Sequence, residues 1–246
     1  MAAHTLITGA ASGIGRATAR HLAADGHVLS LIDLDAAGLA SLREELGEGH
    51  AVCVMDVADP EAWAAMAWLE APLTGAVISA GISDAAEISQ MSFEAWRRVL
   101  SVNLDGAFLA LQAALRRIEE GGAIVAVSSA SGYKAAPMTA SYGASKAGLS
   151  QLVKVAALEA APRKVRVNAI APGGVKTPMF SGQAFFDGFK TEHGGEAGAW
   201  AALGETMPLG RFAEPEEIAG LIAFLLSEAS ATMTGSVLNC DGGYGL

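Results

Sequence analysis

Tyr142 and Lys146 stand four residues apart at the start of a stretch with helical period, so both project from one helix face. An ammonium beside a phenol favours phenolate and lowers a pKa that begins near ~10. A tyrosine tuned in this way can take a proton from an alcohol or return one to a ketone. YxxxK spacing is common by chance, and a lone copy is more often a surface pair than a site. A second pattern precedes it. Thr8-Gly9-Ala10-Ala11-Ser12-Gly13-Ile14-Gly15 follows a short apolar run and opens a helical stretch. Its glycines permit a tight turn and bring backbone N–H groups at a helix N-terminus close to a pyrophosphate. The order strand, turn, helix separates it from an ordinary glycine-rich turn.

Asp33 closes the second apolar run, eighteen positions after Gly15. A carboxylate there accepts hydrogen bonds from ribose hydroxyls and repels a 2′-phosphate. Leu34 and Ser12 offer no cation to such a phosphate. The dinucleotide expected from these residues is NAD rather than NADP. Asp33 could also cap the following helix, but Asp35 is better placed for that.

The elements that would carry these residues alternate. Short apolar runs at Thr5–Thr8, Val28–Ile32, Ala51–Met55, Gly75–Ser79, Ala123–Ser128, Val165–Ile170 and Ser236–Asn239 predict strands. Several are apolar on consecutive residues, as in strands covered on both faces. Helical period predicts helices near 14–25, 36–46, 60–70, 92–119, 142–161 and 215–227, with Asp59-Pro60 and Glu214-Pro215 as start signals. The expected fold is α/β: one Rossmann-type, doubly wound domain over 1–246, with a seven-stranded parallel sheet and helices on both faces. From Pro178 to Pro208 no strand is predicted. That stretch holds Met179, Phe180, Phe185, Phe186, Phe189, Trp200 and Met207, and reads as a pair of small packed helices or a lid. Small residues in 142–161 (Ala144, Ala147, Gly148, Ala156, Ala157) would permit close helix packing, within a subunit or across an interface.

Bulk properties narrow the function classes. With 52% hydrophobic and 17% charged residues, the 246-residue chain can bury a sizeable core. A formal net charge of −10 disfavours nucleic acid, an acidic partner or an anionic membrane. Cys53 and Cys240 lie in separate apolar runs and read as reduced, buried thiols. The five histidines are scattered without HExxH spacing, so no metal site is expected. Nothing near residue 1 resembles a signal peptide, and no apolar run reaches ~18 residues, so a soluble cytoplasmic protein is expected.

Over essentially its whole length the sequence resembles the short-chain dehydrogenase/reductases. The resemblance rests on Thr8-Gly9-x3-Gly13-x-Gly15, Asp56-Val57, Asn103, Ser128-Ser129, Tyr142-x3-Lys146, Pro172-Gly173-x3-Thr177 and Asp241-Gly242-Gly243, in order and at family spacing. It implies a catalytic set of Asn103, Ser129, Tyr142 and Lys146. In it Ser129 hydrogen-bonds the substrate oxygen and Tyr142 is the acid/base. Lys146 binds the nicotinamide ribose, and Asn103 holds a water that relays protons. It further implies cofactor contacts from Gly9, Ser12, Gly13, Ile14 and Gly15, from Asp56 and Val57 at the adenine, and from Ser79, Ala80 and Gly81 beside the adenosine. Val175 and Thr177 would hold the carboxamide. Ser79 departs from the asparagine usual at its place. The resemblance also implies a homotetramer packed through helices 92–119 and 142–161.

The activity so implied is interconversion of a secondary alcohol and a ketone with NAD(H), on a small or medium, largely apolar substrate, cyclic ones included. The aromatics of 179–207 could line its pocket or simply pack the lid onto the body. Two alternatives stand beside it. One is a 3-oxoacyl-carrier-protein reductase, which would call for NADPH and a basic docking patch. The other is a nucleotide sensor or scaffold that has lost catalysis.

Overall fold

The computed structural model describes residues 2–66 and 71–246. Seven strands, β1 (His4–Thr8), β2 (Val28–Asp33), β3 (Ala51–Val54), β4 (Leu73–Ile78), β5 (Ile118–Val127), β6 (Arg166–Pro172) and β7 (Val237–Cys240), form one sheet in the order β3-β2-β1-β4-β5-β6-β7. Every neighbouring pair is parallel. Order reverses at β1, which lies between β2 and β4, and a crevice opens there beyond the carboxyl ends of the strands. The predicted strands agree with the observed ones to within a few residues, except that β5 begins five residues early.

Consecutive apolar residues are explained by two cores, one on each side of the sheet. Leu6, Ile78, Ile124 and Val167 pack with α5 (Gly106–Arg117) and α6 (Ala140–Ala160). Ile7, Val77, Val125 and Ile170 pack on the other face with α1 (Gly13–Ala24), α2 (Ala36–Leu46) and α10 (Pro215–Leu226). Each fully buried Leu or Ile side chain contributes roughly 1.5–3 kcal/mol through loss of apolar contact with water. Helix starts follow the sequence signals: Asp35 accepts from Gly38 N at 3.0 Å, and Asp59 caps α3 (Pro60–Ala64) by accepting from Glu61 N at 2.9 Å. The helix expected over 60–70 is shorter, ending at Ala64; positions 67–70 lie outside the described residues.

Two expectations are corrected. The single helix expected over 92–119 is α4 (Phe93–Leu100), then a π-helical turn at Ser101–Asp105, then α5. It ends at Arg117 because Ile118 is already extended and enters β5. Between Pro178 and Pro208 there are three short helices rather than a pair: α7 (Pro178–Ser181), α8 (Ala184–Glu192) and α9 (Glu196–Gly204). The two cysteines lie on β3 and β7, and each is only partly buried rather than buried, because both strands are at sheet edges.

Arg166, at the start of β6, is buried and spends its guanidinium on the last carbonyls of α10. It donates to Leu225 O at 2.7 Å, Leu226 O at 3.1 Å, Ser227 O at 3.0 Å and Ser230 Oγ at 2.8 Å. A cation there satisfies orphan carbonyls and opposes the negative end of the helix dipole. Arg166→Met keeps the stem and removes the donors. Its expected cost is about 2–4 kcal/mol of unfolding free energy, measured by urea titration.

Candidate active site

The crevice above β1 and β4 deepens into a cleft of about 820 Å³ that runs from Asp33 and Asp56 at one end to α7–α9 at the other. The turn after β1 is shaped by close approach. Gly9 has φ +68°, and a Cβ on it would lie 2.8 Å from the Cα of Ala80, so no larger residue fits there. The Thr8 hydroxyl ties the same two strand ends by accepting from Ser79 N at 3.0 Å and Ala80 N at 3.2 Å. Ser12 precedes α1 without capping it through its side chain, so the first-turn N–H groups face the cleft with no side-chain acceptor from that residue. Gly13 has φ +50°, and a Cβ on it would lie 3.3 Å from the Thr177 methyl across the cleft.

Asp33 is fixed at the cleft edge, its carboxylate accepting from Ala11 N at 2.9 Å and Asp35 N at 3.0 Å. Leu34 beside it is 68% exposed. Arg16, the cation following the glycine turn, is turned away from Asp33: it donates to Ala11 O, Gly38 O and Ser41 Oγ and pairs with Glu45 at 2.9 Å. Asp56 accepts from Ala58 N at 2.8 Å, which fixes the loop that brings Val57 to the wall.

At mid-cleft, Ser129 begins a 3₁₀ turn (Ala130–Gly132) and accepts from Ser131 N at 3.1 Å. Tyr142 on α6 lines the same cleft, with the Ser129 hydroxyl close enough to favour its phenolate. Lys146, one turn on, is buried; its ammonium donates to Val127 O at 2.8 Å and stands 5.7 Å from the centre of the Tyr142 ring. The expected lowering of the phenol pKa by this ammonium is corrected here. Loss of hydration pushes Tyr142 up, with the nearby Ser129 hydroxyl working the other way, and burial brings Lys146 down to about 8. The lysine ammonium is directed to the Val127 carbonyl, and burial decides the direction in which the phenol moves.

All the sequence-derived site residues line this one cleft except Asn103, which lies behind it. Asn103 sits in the π turn, fully buried. Its Oδ1 accepts from Ile82 N at 2.8 Å, and its Nδ2 donates to Ile82 O at 2.9 Å and Ser145 Oγ at 3.1 Å. Its side chain thus positions the loop after β4 against α6 beside Lys146. Sequence reasoning missed Ser145, which hands the bond on to Tyr142 O at 2.7 Å, and its place next to Lys146 was the available signal. It also missed Gln183, whose amide donates to Ser83 Oγ at 2.7 Å across the cleft from the α7–α8 junction to the loop after β4.

The α7–α9 end of the cleft is largely apolar. Phe180 meets Phe212 edge-on at 5.0 Å and lies 5.6 Å from Trp200, while Phe186 is wholly buried in a small core with Ala199, Leu203 and Met207. Both readings of these aromatics hold for different residues. Phe186, Phe189 and Trp200 pack the α7–α9 segment, whereas Met179, Phe180 and Phe185 reach the cleft wall. Among the described residues no group of His, Cys, Asp or Glu could hold a metal, and no helix is long and apolar enough to cross a membrane.

A parallel sheet with a glycine turn at its reversal point, joined to a Ser–Tyr–Lys constellation, defines a nucleotide-dependent oxidoreductase. The chain belongs to the short-chain dehydrogenase/reductase family: residues 9–245 match the family described as "Enoyl-(Acyl carrier protein) reductase". It is 38% identical over 249 residues to the cis-4-hydroxycyclohexanecarboxylate dehydrogenase of Sinomonas cyclohexanicum, covering 97% of this chain and 95% of that one. It is equally 38% identical over 248 residues to the 3-oxoacyl-[acyl-carrier-protein] reductase FabG of Thermotoga maritima, covering 97% and 96%. The crystal structure of levodione reductase superposes with a TM-score of 0.87 at 31% identity, over 99% of this chain and 97% of that one. A longer relative, an uncharacterized short-chain type dehydrogenase/reductase of Sinorhizobium fredii, is 37% identical, and the chain spans 43% of its length.

Proposed function

We propose that the protein is an NAD-dependent dehydrogenase that interconverts a secondary alcohol and a ketone. The observation that carries this reading is the Ser129–Tyr142 hydroxyl pair, brought together on one wall where the Asp33 end of the cleft meets its apolar end. A substrate oxygen placed between these hydroxyls gains two donors where negative charge grows. Tyr142 exchanges the proton, and Ser129 holds the oxygen. Lys146 and Asn103 hold Tyr142 and the loop after β4 in place.

The glycine turn, the N-terminus of α1 and Asp33 fit a dinucleotide; its nicotinamide supplies the hydride chemistry when bound. Gly9, Ser12, Gly13, Ile14 and Gly15 would hold its pyrophosphate, and Asp33 its adenosine ribose. Asp56 and Val57 would flank the adenine, Ser79, Ala80 and Gly81 the ribose, and Val175 and Thr177 the carboxamide. Asp33 supports NAD over NADP, since its carboxylate repels a 2′-phosphate and Arg16 is committed to Glu45.

Residues 178–208 act as the substrate lid. The apolar wall supports a small to medium, largely apolar alcohol, cyclic ones included. Several polar groups at that end are already engaged: Gln183 with Ser83, Thr206 with Leu203 O, and Asp84 with Arg98. That favours weakly functionalised substrates over polyhydroxylated ones. The 3-oxoacyl-carrier-protein reductase reading has support from the Thermotoga relative, but Asp33 and the −10 net charge weigh against its NADPH and basic docking patch.

We further place the protein in the cytoplasm as a homotetramer. An apolar groove lined by Leu104 of the π turn, Phe108 and Leu109 on α5, and Leu152 and Val155 on α6 supports the latter. The deciding measurement is fluorescence titration with NADH and NADPH side by side, followed by an oxidative screen of secondary alcohols. NADH is expected to bind at least tenfold more tightly; a preference for NADPH would bring the acyl-carrier reductase forward.

A further inference from the structure

The segment after β7, residues 241–246, is built into the cleft. The Tyr133 hydroxyl donates to Asp241 Oδ2 at 2.5 Å, and the same carboxylate accepts from Gly243 N at 3.0 Å and Gly245 N at 2.8 Å. Gly245 packs so tightly that a Cβ on it would lie 2.7 Å from the Tyr133 ring. On the other flank Leu209 N donates to Gly242 O at 3.2 Å. Between these ties stands Tyr244. The Lys134 ammonium donates to its carbonyl oxygen and sits 4.2 Å from the centre of its ring, a cation–π contact.

The Tyr244 ring faces two ways. It packs against the small aromatic core of Phe186, Met207 and Phe212, and it forms part of the cleft wall. Tyr133 and Lys134 stand four and five residues after Ser129, so the loop that presents the serine also clamps the ring. A cation–π contact and a hydrogen bond to one residue fix both its main chain and its ring plane. A wall fixed in this way excludes substrate volume rather than yielding to it.

We propose that Tyr244 is a specificity-determining residue, held by Lys134, that limits how bulky a ring the substrate end admits. The inference rests on the alcohol dehydrogenase reading, and its test separates the two. Wild type, Tyr244→Ala, Tyr244→Phe and Lys134→Met are assayed with NAD on cyclohexanol and on decahydro-2-naphthol, which adds a second fused ring.

Tyr244→Ala is expected to raise the ratio of kcat/KM, fused ring over single ring, by at least about tenfold, the scale at which cavity shape discriminates. Tyr244→Phe keeps the ring and leaves the ratio within about twofold. Lys134→Met frees the ring and moves the ratio in the same direction by a few-fold, with Tyr244 still present should the alanine variant fold poorly. A ratio unmoved in both Tyr244→Ala and Lys134→Met would overturn the assignment. If wild type oxidises neither alcohol, the dehydrogenase reading fails. Dissociation constants of the two alcohols for the NAD-loaded protein then give the same ratio by calorimetry, and an unmoved ratio or no binding overturns the wall assignment too.

Discussion

Tyr142→Phe is expected to give a folded protein that still binds NADH but turns over alcohol about 10²–10⁴-fold more slowly, the range typical of a positioned acid/base. The substitution removes one oxygen and leaves the ring that packs on α6, so a loss of this size measures proton transfer rather than folding. Direction with pH follows from the site. The Tyr142 pKa lies above its ordinary value because the surrounding protein removes hydration. At neutral pH the phenol therefore carries its proton, which suits reduction of a ketone. Oxidation needs the phenolate, so its rate is expected to climb with pH through the alkaline range. Lys146, brought down to about 8, loses its charge within that range and limits the rise. Stopped-flow turnover of wild type and variant across pH 6 to about 10 reads both effects. Undiminished turnover by the phenylalanine variant would remove Tyr142 from the chemistry.

The second large effect concerns the dinucleotide. Asp33→Asn keeps shape and one acceptor while removing the charge. It is expected to narrow the preference for NAD over NADP by about ten- to a hundredfold, since one charged hydrogen bond and one repulsion are lost. Adding Leu34→Arg places a cation on the exposed neighbour of Asp33, and the pair is expected to shift the ratio of kcat/KM by about 10³ overall, in favour of NADP. The side chain also accepts from Ala11 N and Asp35 N, so a purely structural role is the competing account. That account predicts lower stability with no change in preference. Competition between the two coenzymes, with melting temperature measured on the same samples, decides between them.

Much of this was legible in the sequence because its signals are local. A parallel strand covered on both faces is apolar on consecutive residues, and several of the seven runs showed that pattern. The glycine turn was readable because close backbone approach leaves no room for a Cβ, as Gly9 against Ala80 demonstrates. Local signals fail where the deciding partner is distant. Helical period continues straight through 101–105, and the bonds from Asn103 to Ile82 and Ser145, twenty-one and forty-two residues away, accompany the departure to a π turn. The phenol pKa went the wrong way for the same reason. Spacing put an ammonium near Tyr142, but the Val127 carbonyl that engages it arrives from another strand. Tyr244 and Lys134, 110 residues apart, left no pattern at all.

The π turn has an implication for how this site could be lost. Such a turn carries one residue more than the α-helical thread would hold, which puts α4 and α5 out of phase by about 100°. Removing any one residue from 101–105 would heal the thread, and the healed helix would be the more regular of the two. It would also rotate everything on one side of the deletion, so that Asn103 no longer faced Ile82 and Ser145. The surplus residue is thus a phase-setting spacer: its presence matters more than its identity, and a scan of substitutions would pass over it where a scan of deletions would not.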